Sequence, residues 1–170
     1  MKVASFDSIV AALNEAQVRF IVVGGLAVNA HGYLRVTHDI DVVIRLEAKD
    51  IAAAFAALHA IDYYPAVPVT AEQFANPALR EQWRTEKGTE DLKFWSEAHR
   101  ETPLDVFLYY PFDFEREYER AIVGHEPDDP PARFASADAL IAMKELSDRE
   151  IDRIDIAKLR ELKELGANES

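Results

Sequence analysis

Two aspartates, Asp39 and Asp41, are the residues of this chain whose type and spacing best suit a chemical role. They lie in the apolar run His38–Arg45, which predicts a β-strand, and alternate residues of a strand share one face. Two ionised carboxylates on one face repel each other, so the pair indicates a bound cation, and Mg²⁺ takes oxygen ligands of this kind. Upstream, Gly24–Gly25 follows the apolar strand Arg19–Val23. A turn without side chains lets backbone N–H groups approach phosphate oxygens, so the sequence predicts a nucleotide phosphate site there.

A third carboxylate, Asp105, lies near the start of the predicted apolar strand Leu104–Tyr109. An ionisable side chain in an apolar strand indicates a functional role. Two-metal phosphoryl-transfer sites use acidic side chains to hold cations that bind a triphosphate and lower the pKa of the attacking hydroxyl. In such a site Asp41 would bridge two ions, Asp39 would complete the pair, and Asp105 would hold the catalytic ion or act as the base. We therefore predict that the three aspartates are catalytic and metal-binding, with Mg²⁺ or Mn²⁺ as the cofactor.

The elements predicted around these residues place them on a β-sheet flanked by helices. Apolar spacing and turn residues predict helices at Phe6–Leu13, Leu26–Ala30, Ala48–Ala60, Ala71–Trp83, Ser136–Leu146 and Glu150–Leu165, a strand at Leu92–Trp95, a loop at Asp62–Pro68, a turn at Arg84–Glu90 and a linker at His125–Pro131. The predicted fold class is α/β (α+β), with a mixed sheet of four or more strands and a C-terminal helical pair. We expect a single domain over residues 1–170, with its core at about 1–124 and a C-terminal helical part at about 132–166.

The order of these motifs resembles the nucleotidyltransferase (polymerase-beta-like) superfamily: apolar-Gly-Gly, about a dozen residues, then Asp-apolar-Asp-apolar. The fuller string GGLAVNAHG…R-x-T-x-D-I-D is similar to the small prokaryotic group that includes AbiEii-like toxins and the minimal nucleotidyltransferases of toxin–antitoxin pairs. This resemblance runs from Gly24 to Asp105. It implies a nucleotidyltransferase-type mixed sheet with the three aspartates on its open face.

A weaker resemblance covers LIAMKELSDREIDRIDIAKL, which is similar to that group's Lys helix followed by an Arg-x-x-Asp-x-x-Asp helix start. On that match Lys144 lies near the nucleotide phosphates, and Asp152 and Asp155 are structural. The nucleotide-binding residues predicted from the motifs together are Gly24, Gly25, Arg35, Thr37 and Lys144. The chain departs from the pattern twice: Gly25 replaces the usual serine, and no glycine separates Lys144 from Asp152, which predicts a nearly continuous helix there.

The function that these motifs imply is transfer of NMP from an NTP to an acceptor hydroxyl. The acceptor is an RNA 3′ end, a protein side chain or a small molecule, and the resemblance adds a cognate toxin or antitoxin protein as a partner. One alternative is a non-catalytic binding module of the same fold, an antitoxin that occludes its partner. A glycosyltransferase-like Asp-x-Asp site is a second alternative, disfavoured by the position of the Gly-Gly turn and by the short chain.

Charge and composition restrict the classes of binding partner and the cellular compartment that we expect for this protein. The 170 residues carry a formal net charge of −12, whereas proteins that track a long phosphate backbone present a basic surface. We therefore expect no extended nucleic-acid footprint and at most contact with one RNA end. No apolar run reaches the roughly 18 residues of a membrane span, and the N-terminus lacks the apolar core of a secretory signal. With no cysteine in the chain, these features predict a cytoplasmic protein without membrane contact.

Overall fold

The computed structural model describes residues 1–124, 130–147 and 149–168, with side chains described up to residue 166. The described residues form eight helices: α1 (Val3–Glu15), α2 (Gly24–Ala30), α3 (Ala48–Ala60), α4 (Ala71–Ala75), α5 (Pro77–Lys87), α6 (Phe114–Arg120), α7 (Ala137–Ser147) and α8 (Glu150–Asn168). They also form seven strands: β1 (Phe20–Val23), β2 (Ile40–Ile44), β3 (Tyr64–Pro65), β4 (Asp91–Trp95), β5 (Leu104–Phe107), β6 (Ile122–Gly124) and β7 (Ala132–Phe134).

These strands make one mixed sheet in the order β3-β4-β5-β2-β1-β7-β6. The β2–β5 and β1–β7 pairs are parallel, and the other neighbouring pairs are antiparallel. The predicted mixed sheet flanked by helices is therefore confirmed. Strands β1, β2 and β5 lie at its centre and are almost entirely buried, as their near-continuous apolar runs require.

Each face of the sheet has its own apolar core. One core joins the strands to α1, α3 and α4, with these side chains at its centre: Ile9, Val42, Ile51, Phe74 and Val106. On the other face, Val23 and Val43 pack against Leu140 of α7 and Leu159 of α8. Because alternate residues share a face, Asp41 lies on the same side of β2 as Val43. The C-terminal helical pair therefore covers the sheet directly beside the aspartates.

Several predicted boundaries differ from the observed ones. The predicted helix Ala71–Trp83 is two helices, because Asn76 ends α4 and its side chain accepts hydrogen bonds from the first N–H groups of α5. Helix α5 continues through most of the predicted turn Arg84–Glu90 and ends at Lys87, where Gly88 takes a left-handed conformation at φ +61°. The predicted loop Asp62–Pro68 contains β3, which pairs with β4.

The C-terminal helical pair is confirmed. The predicted helices Ser136–Leu146 and Glu150–Leu165 correspond to α7 and α8, and helical structure between Lys144 and Asp152 is interrupted only between Ser147 and Glu150. Residues 125–129 of the predicted linker His125–Pro131 lie outside the described residues, and the linker is flanked by the paired strands β6 and β7. No described helix is long and apolar enough to cross a membrane.

Candidate active site

The three predicted aspartates converge on one face of the sheet. Asp41 of β2 is directly paired with Asp105 of β5, and Asp39 lies two residues before Asp41 on the same face. One carboxylate oxygen from each of the three residues lies within 4.8 Å of the others. Asp105 is buried, and the other two are half-buried. Adjacent parallel strands thus bring together acids that are more than 60 positions apart in sequence.

Gly24 is pressed against this cluster. Val23 is paired with Asp41 across β1 and β2, so the chain turns into α2 beside that carboxylate. Gly24 has φ +64°, and a Cβ atom on it would lie 2.0 Å from Asp41 Oδ2. A glycine is therefore required here both by the left-handed backbone and by the space that Asp41 occupies.

Crowding of the carboxylates changes their acidity. Burial, followed by the charges of Asp39 and Asp105, raises the pKa of Asp41 to about 7. Burial also raises the pKa of Asp105, although Lys93 opposes the shift with a hydrogen bond and its charge. These shifts mark a place where negative charge exceeds what the fold itself neutralises, which is typical of a site that receives a cation.

Lys93 of β4 adds a positive charge to the cluster. It is directly paired with Asp105 across β4 and β5, and its Nζ lies 3.0 Å from Oδ1 and 3.1 Å from Oδ2 of that carboxylate. Lys93, Asp105 and Asp41 therefore form a row across three neighbouring strands. Lys93 is not among the site residues that the sequence motifs predict. The available signal is its alternation with the buried Leu92 and Phe94, which places Lys93 on the polar face of β4.

A cavity of about 390 Å³ lies beside Asp41 and the C-terminal helices. Gly24 and Asp41 are among its lining residues, and the others are Arg84, Glu90, Phe107, Tyr109, Pro111, Leu140, Met143, Lys144, Leu146, Ser147 and Arg149. Three cationic side chains thus line the same cavity as two residues of the predicted phosphate and metal sites. The guanidinium of Arg84 also lies 3.8 Å from the centre of the Tyr109 ring.

Lys144 lines this cavity but is already paired. Its Nζ lies 3.0 Å from Asp152 Oδ1 and 2.7 Å from Asp155 Oδ2, and its side chain is 7% exposed. Burial alone would raise the pKa of Asp152, but hydrogen bonds from Arg149, Ser147 and Lys144 hold it well below its usual range. The short link between α7 and α8 lets Lys144 fold back onto these two buried acids.

Arg149 is the more accessible cation at the cavity. Its Nε donates to Asp152 Oδ2 at 2.7 Å, yet its side chain remains 71% exposed. The charges of Asp41 and Asp39 also act on it and contribute to its raised pKa, after the hydrogen bond to Asp152. Arg149 opens the Arg-x-x-Asp-x-x-Asp motif quoted above, so the sequence carries the signal, although Lys144 is the one residue of the C-terminal helical part that the motifs place near the phosphates.

Arg35 and Thr37 lie against Gly25. A Cβ atom on Gly25 would lie 2.8 Å from Thr37 Oγ1 and 2.9 Å from one guanidinium nitrogen of Arg35. Arg35 is ion-paired with the fully buried Asp155, with Nε 3.0 Å from Oδ1 and a terminal nitrogen 3.0 Å from Oδ2. The guanidinium therefore fills the space that a serine side chain would need, which explains why this position is glycine.

The donor set fits a hard divalent ion. Three carboxylate oxygens from Asp39, Asp41 and Asp105 face one small volume, and oxygen ligands are what Mg²⁺ and Mn²⁺ bind. The raised pKa of Asp41 shows that the fold supplies too little positive charge for this carboxylate to ionise in its usual range. The trio is thus suited to bind a divalent ion.

The fold belongs to a known class. No protein-family model and no curated protein matches the chain. Solved structures of antibiotic-modifying enzymes do match it, and their similarity shows that the chain has a nucleotidyltransferase fold.

The lincosamide antibiotic adenylyltransferase LnuA, solved with lincomycin bound, matches with a TM-score of 0.60 at 16% identity, over 95% of this chain and 98% of that one. ANT(2″)-Ia in complex with adenylyl-2″-tobramycin matches with a TM-score of 0.57 at 15% identity, over 98% of this chain and 90% of that one. The solution structure of the antibiotic-resistance factor ANT(2″)-Ia matches with a TM-score of 0.56 at 17% identity, over 96% and 83%.

Proposed function

We propose that this protein is a metal-dependent nucleotidyltransferase that transfers NMP from an NTP to an acceptor hydroxyl. The observation that carries the proposal is the convergence of Asp39, Asp41 and Asp105 beside the glycine turn. One oxygen from each of the three carboxylates lies within 4.8 Å of the others, and burial together with the neighbouring charges raises the pKa of Asp41. Holding like charges together costs electrostatic free energy, and a metal-binding role accounts for that cost. The nucleotidyltransferase fold of the chain supports the same activity.

In the proposed reaction, the acceptor oxygen forms a bond to the α-phosphorus, and the bond from the α-phosphorus to the oxygen bridging to the β-phosphate breaks. The bonding electron pair leaves with pyrophosphate, and the hydroxyl proton passes to a carboxylate, for which Asp105 is the candidate. Burial raises the pKa of Asp105, which favours acceptance of a proton. Asp39, Asp41 and Asp105 would hold a divalent ion, which would neutralise phosphate charge and lower the pKa of the acceptor hydroxyl.

The triphosphate is proposed to lie in the cavity between Gly24 and the C-terminal helices. Backbone N–H groups of the Gly24–Gly25 turn approach its oxygens, and Arg149 supplies an accessible positive charge. Lys144 lines the same cavity with its ammonium already paired to two buried aspartates, so its proposed role is to hold the cavity wall in place rather than to neutralise phosphate charge. Arg35 and Thr37 support the turn from behind Gly25.

A small molecule is the acceptor class that we favour. The cavity that Asp41 lines has a volume of about 390 Å³, and its wall includes the apolar side chains of Leu140 and Met143 and the ring of Tyr109. A concave, partly apolar site of this size is typical of small-molecule binding, and an acceptor bound there would lie beside Asp41. The bound lincomycin and adenylyl-tobramycin of the structural neighbours are small molecules as well.

The sequence resemblance to toxin–antitoxin nucleotidyltransferases supports a second candidate role, with an RNA end or a partner protein as acceptor. Leu34 and Val36 flank Arg35 beside the site and are exposed, which offers an apolar contact to a macromolecule. If the protein acted instead as a non-catalytic antitoxin, neutralisation of a toxin would survive the substitution Asp39→Ala.

The proposal is tested by incubating the protein with Mg²⁺, each NTP labelled at the α-phosphate, and total cell lysate. We expect label to enter one chemical fraction, small molecules, RNA or protein, and to be absent with Asp41→Asn. Separation of the fractions assigns the acceptor class in the same experiment. Absence of labelled product with all four NTPs and every fraction would contradict the proposed activity.

A further inference from the structure

Arg80 of α5 is a buried cation that has no acidic partner in the described part of the chain. The residue is 8% exposed, and no carboxylate oxygen of a described residue lies within 4.0 Å of its guanidinium nitrogens. Its Nε donates a hydrogen bond to the Leu108 carbonyl at 2.9 Å, and one terminal nitrogen donates to the Phe74 carbonyl at 2.5 Å. A buried charge without an opposite charge beside it costs free energy. The fold therefore leaves this guanidinium short of a counter-ion.

The groups around Arg80 solvate its charge without cancelling it. The two carbonyls are neutral, as is the Phe74 ring, whose centre lies 5.9 Å from the guanidinium carbon. Burial lowers the pKa of Arg80, and the nearby Tyr110 side chain opposes that shift. The second terminal nitrogen of Arg80 donates to no described residue, yet the protein does not enclose it. One donor of a buried cation is thus available to a ligand.

Arg80 lines a second, smaller cavity of about 290 Å³, in which a hydroxyl group accompanies it. The Tyr110 hydroxyl accepts a hydrogen bond from the Leu46 N–H at 2.6 Å, so its own hydrogen can point to a ligand. Glu81 also lines the cavity, but its carboxylate is paired with Arg84 at 3.1 Å. The cavity therefore combines one unpaired positive charge with two donor groups, which is the combination that an anion requires.

The walls of this cavity indicate which kind of anion fits. Leu46, Pro77 and the Tyr109 ring add apolar surface, and ligand pockets of small molecules begin at about 300 Å³. An inorganic anion would lose its water against these walls, whereas an organic acid has apolar surface of its own to bury. We propose that the cavity binds a small organic carboxylate, which accepts hydrogen bonds from Arg80 and Tyr110 and packs its apolar body against Leu46 and Pro77.

This carboxylate site is separate from the three aspartates, none of which lines it. Its occupation therefore needs neither a divalent ion nor a nucleotide. Tyr109 lines both this cavity and the cavity beside Asp41, so one aromatic side chain borders both sites. Failure of either proposal would leave the other standing, because the two sites have different ligands and different binding groups.

Benzoate is a suitable probe, because it joins one carboxylate to a small apolar ring. It is titrated into the isotope-labelled protein at constant ionic strength. Nuclear magnetic resonance follows the guanidinium N–H signal of Arg80 and the amide signal of Leu46, whose N–H contacts the Tyr110 hydroxyl. We expect both signals to shift and to saturate. Benzamide, a neutral molecule of the same shape, should bind at least about tenfold more weakly, because it cannot form charge-assisted hydrogen bonds.

Two variants remove the two donor groups separately. Arg80→Gln removes the charge but keeps amide donors for the carbonyls, and it should weaken benzoate binding at least about tenfold. Tyr110→Phe removes only a hydroxyl, so we expect a smaller loss of affinity. Arg116→Gln is the matched control, because Arg116 is exposed on α6 and does not line the cavity. It should bind benzoate as the wild type does, and the Leu46 amide reports binding in every variant.

Melting curves verify that each variant is folded. The site would be overturned if neither signal of the wild type shifted, if benzamide bound as tightly as benzoate, or if folded Arg80→Gln and Tyr110→Phe kept the wild-type affinity. If Arg80→Gln does not fold, Tyr110→Phe and the comparison of benzoate with benzamide still decide between a carboxylate site and an arginine that only ties α5 to its neighbours.

Discussion

Asp41 carries the largest electrostatic cost of the site. Its folded-state pKa of about 7 lies above the value of about 3.9 in an unfolded chain, so the metal-free folded state binds this proton more tightly. The free energy of unfolding therefore falls as the pH rises from about 4 to about 7, and the whole cost is present above that range. Removal of this charge should stabilise the metal-free protein but would remove a proposed metal ligand.

We predict that Asp41→Asn is more stable than the wild type above pH 7 without metal, by on the order of 2–4 kcal/mol, and that the difference shrinks towards pH 4. Denaturant titrations at several pH values with a chelator measure it. Loss of stability at low pH through Asp152 affects both proteins and cancels in the difference. Mg²⁺ should stabilise the wild type and not the variant. A pH-independent difference would show that the Asp41 carboxylate is not crowded as described.

Gly24 offers a second prediction at the residue scale. Gly24→Ala puts a methyl group 2.0 Å from Asp41 Oδ2, so the carboxylate must turn away from the metal position. We expect metal affinity to fall about 10–100-fold. Gly88→Ala is the matched control. Gly88 has a similar left-handed backbone, with φ +61°, but the added Cβ atom would have nothing within 4 Å.

The control should lose about 1 kcal/mol of stability from backbone strain and keep its metal affinity. Calorimetric Mn²⁺ titrations of both variants separate strain from contact with Asp41. Equal loss of affinity in the two variants would mean that backbone strain alone, and not the contact with Asp41, explains the effect.

At the scale of elements, residues 31–39 between α2 and β2, which include Asp39, are bonded to two helices, α2 and α8. Asn29, near the end of α2, exchanges two hydrogen bonds with the Arg35 backbone, at 2.9 and 3.0 Å. The Arg35 guanidinium then pairs with the buried Asp155 of α8. The segment from α2 to β2 is thus held by its own side chains against both the glycine turn and the C-terminal helices.

We predict that Asp155→Asn costs about 3–5 kcal/mol of stability, because it leaves the Arg35 guanidinium without its carboxylate partner and Lys144 with Asp152 alone. Its control is Lys158→Met on the same helix, which breaks an exposed pair with Glu161 and should leave the stability almost unchanged. Chemical denaturation measures both. Similar costs for the two variants would show that the Arg35–Asp155 pair does not fasten the segment.

The elements that sequence patterns predict best here are the long or strongly apolar ones. Strand β2 has a near-continuous apolar run and helix α3 has an apolar stripe, so their ends are within two residues of the prediction. Strands β3, β6 and β7 have two or three residues each, too few for a period, and exist because a neighbouring strand pairs with them. The break between α7 and α8 occurs without glycine, and tertiary pairing of Lys144 with Asp152 accompanies it.

For the molecule as a whole, strand order determines which residues meet. The aspartates and the Gly24–Gly25 turn were predictable because their spacing is local or follows a known pattern. The row formed by Asp41, Asp105 and Lys93 depends on the register of three strands, which no local pattern specifies. The same holds for Arg149, whose position beside the aspartates results from the docking of α8 on the sheet.

The measurement that tests the central claim most directly is calorimetric binding of a non-hydrolysable NTP analogue with and without Mg²⁺, to the wild type and to Asp41→Asn. Glu81→Gln, which removes an exposed acid on α5, is the control. The account predicts Mg²⁺-dependent binding to the wild type and the control, and loss of the Mg²⁺-dependent part in Asp41→Asn. Equal, Mg²⁺-independent binding to all three proteins would contradict the claim that the aspartates form a metal–nucleotide site.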